Sequence, residues 1–296
     1  MITNSPLDFI YDCSLENKNM TIFAFNRCIA HMNISTTLII PTYNWAKALE
    51  LVLLSLKKQT QFPDEVIIAD DGSTEETKLL VEEFQKDFSI PIKHLWHKDK
   101  GFRKTIIINK AIAESKGDYI IQIDGDCIMH KRFIEDHISE IEKETYLFGS
   151  RVSLKEYCVP ELYKKKKIKF SFLSKALKKR GRSLYIPVFA KRYKREPTMS
   201  RKVRGCNLSY WKQDFIDVNG YNEDITGWGR EDTELIIRIM NNGIYGKRLK
   251  FRGIVYHIWH NEFSKDRLVE NHKIQSETIK NKVVWCNNGI DKYLND

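Results

Sequence analysis

The sequence predicts a single α/β domain with a mostly parallel, Rossmann-like central sheet flanked by helices. Two patterns between residues 36 and 123 predict it. Short apolar runs of strand type alternate with stretches of helical apolar spacing, and polar clusters follow directly on the strand ends. Right-handed crossovers between such strands place their carboxyl ends along one edge of the sheet. The chain of 296 residues is long enough to bury the core that this fold needs.

The first half of the chain contains four predicted strands with helices between them. The strands are predicted at residues 37–40, 65–69, 92–95 and 119–123. The helices are predicted at residues 45–57, 75–84 and 104–113, and the second is expected to turn Leu79, Leu80 and Phe84 inward. Because polar loops follow all four strands, a binding site is expected at that edge of the sheet.

The alternation stops after residue 151. The second half is predicted to hold a strand at residues 203–210, a loop rich in glycine and aromatic residues at 220–232, a helix at 234–241 and a strand at 254–260. We expect an extension of unclear role at residues 1–34, the α/β domain at 35–262 with an insert at 152–202, and a charged helical tail at 263–296. Translation is expected to start at Met1 or Met32.

The positive charge is concentrated in one segment. The formal net charge is +10, but residues 162–195 contain 14 Lys or Arg and no Asp or Glu, which leaves −4 for the rest. A basic nucleic-acid-binding protein is the alternative from another functional class. The net charge of −4 on the residues outside 162–195 argues against nucleic-acid binding, so no nucleic-acid partner is expected.

The basic segment, residues 162–195, has two interpretations. It is either a solvated lysine-rich flap or a surface for an anionic membrane or a lipid-linked pyrophosphate. The second interpretation draws on the amphipathic character that Phe170, Phe172, Leu173 and Leu177 give to the segment.

The cysteines and the hydropathy predict the compartment. Six cysteines are scattered without a Cys-x-x-Cys pair, which favours reduced thiols. The N-terminus lacks the pattern of a signal peptide, and no apolar run approaches the ~18 residues of a membrane span. The expected location is cytoplasmic, and peripheral on the inner face of the cell membrane if the basic segment docks there.

Asp124 and Asp126 flank Gly125 directly after the strand predicted at 119–123. Two carboxylates held close together repel each other unless a cation or several donors sit between them. Oxygen ligands at the carboxyl end of a sheet strand are typical of a divalent-metal site. The alternative is a polar turn, since Asp-Gly-Asp is also ordinary turn sequence. From these residues alone, both interpretations stay open.

The first two loops carry an aromatic residue and a carboxylate pair. No Gly-x-Gly-x-x-Gly and no Gly-Lys-Ser/Thr loop follows the first strand, so neither a Rossmann dinucleotide site nor a P-loop is predicted. Tyr43 can stack on a pyrimidine base, and a carboxylate of Asp70-Asp71 can accept its imide N–H. The alternative is that residues 70–73 only cap the following helix.

Several motifs together resemble one family by their order and spacing. They are Pro41-Thr42-Tyr43-Asn44, Asp70-Asp71-Gly72-Ser73, Lys100-Gly101-Phe102-Arg103 with Asn109, Asp124-Gly125-Asp126, Gly205-Cys206-Asn207 and Gly227-Trp228-Gly229-Arg230-Glu231-Asp232. From about residue 36 to about residue 261 the chain resembles the nucleotide-sugar-dependent glycosyltransferases of family 2, which have the GT-A fold. The C-terminal half looks like the galactosyltransferase and chondroitin-polymerase branch. The resemblance implies that residues 35–151 bind the nucleotide sugar and that residues 203–262 form the acceptor and catalytic half.

The resemblance assigns roles to residues of the first half. The implied nucleotide-sugar-binding residues are Pro41, Tyr43, Asn44, Asp71, Arg103, Asp124 and Gly125. Within this set, Tyr43 and Asp71 hold the uracil, and Arg103 lies near the nucleotide. Asp126, with Asp124 as a second candidate, binds a Mn²⁺ or Mg²⁺ ion that bridges the diphosphate, and Asp124 lies nearer the ribose.

The second half supplies the acceptor site and the base. In the resembled branch the aspartate at the Asp232 position is the general base and the glutamate at the Glu231 position binds the acceptor, while Trp228 offers a flat face to a sugar ring. Helix capping by the two acids is the alternative, and it leaves Trp228 unexplained. A His-x-x-His pair is a weak metal signal by itself. The resemblance implies that His260, and after it His257, completes the metal site.

These assignments predict an inverting, metal-dependent transfer of a hexose from a UDP-sugar to a hydroxyl of a saccharide or lipid-linked saccharide. Galactose or N-acetylgalactosamine is the favoured donor sugar. UDP-glucose, UDP-N-acetylglucosamine and UDP-glucuronate are the alternative donors. The expected pathway is the assembly of surface polysaccharide or glycolipid.

Overall fold

Strands and helices alternate through the first half of the chain. The computed structural model describes residues 34–261 and 264–294. The elements of the first half are β1 (Thr36–Thr42), α1 (Ala46–Leu56), β2 (Glu65–Asp70), α2 (Glu75–Asp87), β3 (Ile92–Trp96), α3 (Lys104–Ala113), β4 (Tyr119–Ile123), β5 (Cys127–Met129), α4 (Phe133–Ile138), β6 (Thr145–Phe148) and β7 (Ser150–Ser153). Those of the second half are α5 (Val159–Lys165), α6 (Pro187–Ala190), β8 (Arg195–Glu196), β9 (Asn207–Trp211), α7 (Lys212–Ile216), α8 (Glu231–Asn241), β10 (Tyr245–Arg248), β11 (Ile254–His257) and α9 (Leu268–Lys280), with 3-10 turns at Glu156–Cys158, Arg180–Ser183 and Ile290–Tyr293.

An eight-stranded sheet in the order β3-β2-β1-β4-β9-β6-β10-β8 forms the centre. The four strands predicted in the first half are parallel neighbours, and Ile39 of β1 lies opposite Ile67 of β2 and Gln122 of β4. Beyond β4 the sheet is mixed, because β9 runs antiparallel to β4 and β6. The described residues from Ser35 onward belong to one compact unit. The prediction of an α/β fold in a single domain is confirmed.

The helix α3 shows how the core holds the site in place. Its Ile107, Ile108 and Ile112 are fully buried in one cluster with Ile39 and Ile67 of the sheet. Each such side chain contributes roughly 1.5–3 kcal/mol by leaving water. This packing fixes the sheet edge from which the site loops emerge.

The helix α2 differs from its prediction in one residue. Leu79 is 57% exposed, so its expected inward orientation was wrong. The helix instead buries Thr77, Val81 and Phe84, and Leu80 is half-buried. The buried stripe follows the i, i+4, i+7 spacing from Thr77, and Leu79 lies outside it.

Two elements of the second half begin later or earlier than predicted. The strand predicted from residue 203 begins at Asn207. The helix predicted from residue 234 begins at Glu231, which places Glu231 and Asp232 in its first turn. Acidic side chains are favourable there because the helix N-terminus carries partial positive charge.

The strands β5, β11 and β7 form a second, three-stranded sheet. The strand predicted at 254–260 is its middle strand, and it ends at His257. Pairing sets His257 opposite Cys127 and Ser153, and the N–H of Ile258 donates to the carbonyl of Asp126 at 2.9 Å. The small sheet thus brings His257 beside the Asp-Gly-Asp motif.

The basic insert packs against this second sheet. Leu177 is buried in one cluster with Tyr256, and the ring centroid of Phe170 lies 4.7 Å from that of Tyr256. Phe172 and Leu173 are exposed. Two of the four apolar residues on which the membrane interpretation relied therefore pack in the core. Docking of the insert on a membrane stays a prediction. Within the described residues, no helix is long and apolar enough to cross a bilayer.

The predicted terminal segments are described in part. The N-terminal extension and its two candidate start residues lie outside the described residues, apart from Ile34. In the predicted tail, Asn271 of α9 donates to the carbonyls of Thr226 and Gly229 at 2.9 and 3.0 Å. The tail therefore holds the glycine-rich loop that precedes α8.

A buried ion pair ties α8 to its surroundings. Arg238 is fully buried and donates to the Glu234 carboxylate through two nitrogens, each at 2.8 Å, and to the carbonyl of Gly220 at 2.7 Å. Thr278 of α9 donates to the same carboxylate at 3.0 Å. The pair therefore joins α8, the loop before it and the tail.

Replacing Arg238 with Met is expected to lower the free energy of unfolding by about 3–5 kcal/mol, because Glu234 would be left buried and unpaired. Urea unfolding followed by circular dichroism measures the loss. Lys165→Met removes a partner from an exposed pair at the same helical spacing, and this control should change the free energy of unfolding by less than about 1 kcal/mol. Equal effects of the two variants would contradict the expectation.

Candidate active site

A cavity of ≈ 820 Å³ opens where β1 and β4 end. Its walls include eleven of the predicted site residues: Pro41, Tyr43, Asp71, Asp124, Gly125, Asp126, Trp228, Glu231, Asp232, His257 and His260. Two predicted residues, Asn44 and Arg103, are not among the residues that line it. The structure therefore brings loops from both halves of the chain to one space.

Tyr43 and Asp71 lie on the neighbouring loops after β1 and β2. Tyr43 is 47% exposed, and its hydroxyl donates to Asp99 Oδ2 at 2.9 Å. Asp71 is buried, with Oδ1 at 2.6 Å from His97 Nε2 and with Oδ2 accepting the amide N–H of Arg103 at 2.7 Å. An open aromatic face beside a fixed carboxylate suits the binding of a base.

Asn44 and Arg103 make contacts that support the loops. The side-chain oxygen of Asn44 accepts the N–H of Thr74 at 2.8 Å, and the backbone N–H of Asn44 donates to Ser73 Oγ at 2.8 Å. The guanidinium of Arg103 donates to the carbonyl of Lys98. These bonds give both residues a role in holding the local fold, and neither residue lines the cavity.

Lys104 begins α3, and its Nζ lies 2.7 Å from Asp124 Oδ1. Burial disfavours the charged form of Lys104, but the carboxylates of Asp124, Asp232 and Glu231 outweigh burial and hold the pKa of Lys104 well above its usual value. Burial also disfavours ionised Asp124, yet the ammonium of Lys104 keeps the pKa of Asp124 lowered. The cavity therefore holds a lasting positive charge close to the Asp-Gly-Asp motif.

Gly125 sits where the loops after β1 and β4 touch. Its N–H donates to the carbonyl oxygen of Pro41 at 3.0 Å, and an added Cβ would lie 2.8 Å from that oxygen. A side chain cannot fit without moving the backbone, so glycine is required by this approach. The contact fixes Asp124 and Asp126 relative to the first loop.

Asp126, His257 and His260 form a cluster that could hold a metal ion. One ligand atom from each lies within 4.8 Å of the others, and the two Nε2 atoms are 3.2 and 3.4 Å from Asp126 Oδ2. A carboxylate with two imidazoles is a mixed oxygen and nitrogen set that fits Mn²⁺. Asp124, the other predicted ligand, pairs with Lys104 and is not part of this cluster.

The ring of His260 is oriented by two neighbours. Its Nδ1 lies 2.6 Å from the carbonyl oxygen of Asn261. A carbonyl only accepts, so this contact assigns the proton to Nδ1 and leaves Nε2 as the nitrogen able to bind a metal. Trp45 packs edge-on against the ring, with the centroids 5.6 Å apart. The orientation suits a metal ligand.

Asp232 lies in the first turn of α8. Its Oδ2 accepts the N–H of Gly205 at 2.8 Å, and its Oδ1 accepts the hydroxyl of Tyr221 at 3.3 Å. A Cβ on Gly205 would lie 2.0 Å from Asp232 Oδ1, so the carboxylate can approach only a glycine. The Tyr221 hydroxyl in turn accepts a hydrogen bond from Gln122 of β4 at 2.9 Å. These bonds hold the carboxylate at the cavity wall.

Glu231 and Trp228 lie next to Asp232. Glu231 is buried, and burial together with the neighbouring carboxylate of Asp232 raises the pKa of Glu231 to about 7. Trp228 is 39% exposed between Gly227 and Gly229, whose φ angles of 69° and 104° favour glycine. The turn thus presents an aromatic face beside two carboxylates.

Sequence reasoning did not place several basic residues of the cavity wall in the site, and these are Lys104, Arg151, Lys178, Arg204, Arg230 and Lys265. Lys104 directly follows the predicted Arg103, and no local pattern shows which of the two lines the cavity. Lys178 comes from the basic insert, so part of that charge borders the cavity. Nothing in the sequence distinguishes Lys178 from its neighbouring lysines.

The sheet order and the cavity at the strand ends define an α/β fold with a ligand-binding edge at the carboxyl ends of its parallel strands. A family model described as glycosyl transferase family 2 matches residues 37–198, and one described as the N-terminal domain of galactosyltransferase matches residues 187–261. The chain belongs to glycosyl transferase family 2, and the prediction of this family is confirmed.

The relatives include polysaccharide synthases. Chondroitin synthases of Pasteurella multocida (strain Pm70) and Escherichia coli are 23% and 26% identical to this chain, over 76% and 75% of its length. The chain spans 25% and 34% of the lengths of those two proteins.

Solved structures share the fold. S. aureus TarS 1–349 in complex with UDP has a TM-score of 0.57 at 18% identity, over 88% of this chain and 71% of that fragment. GalNAc-T7 with UDP, GalNAc and Mn²⁺ has a TM-score of 0.55 at 15% identity, over 78% of this chain and 45% of that one. The predicted GT-A fold is confirmed.

Proposed function

We propose that the protein is an inverting glycosyltransferase that moves a hexose from a UDP-sugar to a saccharide hydroxyl in the presence of Mn²⁺ or Mg²⁺. One observation carries the proposal. The cluster of Asp126, His257 and His260 borders the same cavity as the carboxylates of Glu231 and Asp232. A reaction that releases a diphosphate and deprotonates a hydroxyl needs a cation and a base in one site.

The donor nucleotide is assigned to the loops of the first half. The uracil stacks on Tyr43, and Asp71 accepts its imide N–H, while Asp124 holds the ribose. Lys104 adds positive charge near the diphosphate. Two proteins of the same fold were solved with UDP, which supports uridine as the base.

The metal is assigned to Asp126, His257 and His260. Their mixed donor set fits Mn²⁺, and Mg²⁺ is the alternative. When bound there, the ion neutralises the negative charge that grows on the departing diphosphate.

The acceptor is assigned to the wall formed by Trp228, Glu231 and Asp232. A sugar ring lies on Trp228, and Glu231 binds one of its hydroxyls. Asp232 takes the proton of the reacting hydroxyl as its oxygen attacks the anomeric carbon from the face opposite the diphosphate. The new glycosidic bond forms as the bond to the diphosphate breaks, so the configuration inverts.

The favoured donor sugar is galactose or N-acetylgalactosamine, because residues 187–261 match the galactosyltransferase domain. Glucose, N-acetylglucosamine and glucuronate are the alternatives. The likeness to chondroitin synthases supports a role in assembling a surface polysaccharide or glycolipid.

A panel of UDP-sugars tests the proposal. The protein is incubated with each UDP-sugar and Mn²⁺, first without acceptor and then with a pool of oligosaccharides, and released UDP is measured. We expect slow hydrolysis of one or two donors without acceptor and faster release with the pool. Absence of UDP release from every donor in both conditions would contradict the proposal.

Replacing Tyr43 with Ala is expected to weaken UDP binding by about 5- to 150-fold, because loss of base stacking costs ~1–3 kcal/mol. Tyr43→Phe keeps the ring and removes only the bond to Asp99, so its affinity should stay close to that of the wild type. Calorimetry with UDP and Mn²⁺ measures both. Equal affinities of Tyr43→Ala and the wild type would show that the base lies elsewhere.

A further inference from the structure

A second, smaller cavity of ≈ 180 Å³ lies beside β10. It is lined by Phe148, Tyr193, Glu196, Thr198, Ser200, Lys202, Gly246 and Arg248. None of these residues lines the first cavity, but the chain runs from Lys202 directly into Val203 and Arg204, which do. The two cavities are therefore separate spaces joined by one short segment.

Two cations, Lys202 and Arg248, line the second cavity, and two more, Lys250 and Arg182, interact electrostatically with Arg248. Burial, followed by the positive charges of Arg248, Lys202 and Arg182, lowers the pKa of Lys250. Burial also lowers the pKa of Arg248, and Arg182 adds to the effect, while Tyr193 and Glu196 oppose it. Burial is the larger cause of both shifts, and the neighbouring positive charges add to it, so the charged forms of Lys250 and Arg248 are disfavoured while the site is empty.

The fold does not neutralise this cluster within the described residues. Ion pairs there satisfy the nearby Lys247 and Arg252 through Glu140, but none of the described ion pairs includes the four clustered cations. Arg248 Nε is buried and has no hydrogen-bond partner. Glu196 is the one acid in the lining, against two lining cations. The cluster is therefore short of negative charge.

We propose that this cavity is a second binding site, for a sugar unit that carries a phosphate or carboxylate group. Lys202 and Arg248 would bind the oxyanion through charge-assisted hydrogen bonds. Thr198 and Ser200 supply hydroxyls for the sugar, and Tyr193 supplies an apolar ring face. A bound anion would relieve the repulsion among the cations. The site does not depend on the donor or the metal of the first cavity.

Isothermal titration with matched sugars tests the proposal. Glucose, glucose 6-phosphate, glucuronate and inorganic phosphate are titrated into the full chain, first alone and then with UDP and Mn²⁺ present. We expect at least one charged sugar to bind at least tenfold more tightly than glucose and more tightly than inorganic phosphate. The charged sugar that binds more tightly shows whether the site prefers a phosphate or a carboxylate group. Equal binding of glucose and both charged sugars would overturn the proposal, and so would inorganic phosphate binding as tightly as they do.

Variants locate the binding. Arg248→Gln should weaken binding of the charged sugar by about tenfold or more, since it removes a charge-assisted hydrogen bond. Arg201→Gln removes the same charge from an exposed residue that lines neither cavity, and Asp126→Asn alters only the first cavity. Both should bind the charged sugar as the wild type does. Unchanged binding in Arg248→Gln, or a loss confined to Asp126→Asn, would overturn the proposal.

Thermal unfolding separates a binding role from a structural one. Without ligand, Arg248→Gln should melt at the same temperature as the wild type or higher, because it removes a charge that burial and the neighbouring cations disfavour. The charged sugar should raise the melting temperature of the wild type and leave that of Arg248→Gln unchanged. Lys202→Gln serves as the second variant if Arg248→Gln fails to fold. An equal rise in the wild type and in the folded variant would overturn the proposal.

Discussion

Replacing Asp232 with Asn is expected to slow glycosyl transfer by about 10²- to 10⁴-fold, the contribution typical of a general base. The amide oxygen of Asn can still accept the N–H of Gly205, so the local structure should persist. The amide cannot take a proton from an acceptor hydroxyl at neutral pH. UDP binding should persist because Tyr43 and Asp71 lie on other loops.

Two measurements decide this prediction. Release of UDP at saturating donor and acceptor gives the rate of transfer, and calorimetry gives the affinity for UDP. Asp87→Asn makes the same chemical change at an exposed position at the end of α2 and should transfer at the wild-type rate. Retained turnover in Asp232→Asn would remove Asp232 from the base role. Loss of UDP affinity together with turnover would assign it a structural role.

The sheet edge could be predicted from the sequence because it follows from local patterns. Alternating apolar runs locate the first four strands, and the handedness of the crossovers places their ends together. The structure accordingly lines one cavity with Tyr43, Asp71 and Asp126, which follow three different strands. The family resemblance was needed for Asp232 and His260, because no local pattern joins them to residues more than a hundred positions earlier.

The direction of individual side chains could not be predicted. Arg103 and Lys104 are adjacent basic residues, and only the start of α3 decides that Lys104 reaches Asp124. Asn44 belongs to a motif that resembles a binding loop, yet its side chain holds the start of α2 through Thr74. Such choices depend on contacts between distant segments, which a single sequence does not specify.

The network behind Asp232 was also beyond the sequence. Gln122 on β4 and Tyr221 in the second half are 99 positions apart, and they bond at 2.9 Å. Asn109 of α3 holds Tyr221 there through bonds to its N–H and its carbonyl. The close approach of Gly205 to Asp232 likewise joins segments that are distant in the sequence. The glycine of that motif was visible in the sequence, but the carboxylate that requires it was not.

Replacing Asp126 with Asn is expected to weaken Mn²⁺ binding by roughly 100-fold or more, because Asp126 carries the only formal negative charge of the three donor groups. Asp124→Asn is the matched comparison. Its carboxylate pairs with Lys104 and is not part of the cluster, so the affinity for Mn²⁺ without nucleotide should change by less than about threefold. Electron paramagnetic resonance of free Mn²⁺ measures both affinities without reference to activity.

The two variants distinguish the two candidate positions for the ion. EDTA should abolish glycosyl transfer by the wild type, and excess Mn²⁺ should restore it. The same Mn²⁺ concentration should not restore transfer by Asp126→Asn. If Asp126, His257 and His260 hold the ion, His260→Ala should weaken Mn²⁺ binding as Asp126→Asn does. If Asp124→Asn weakens Mn²⁺ binding as much as Asp126→Asn does, and His260→Ala has no effect on it, the ion lies between the two aspartates. The histidines are then not its ligands.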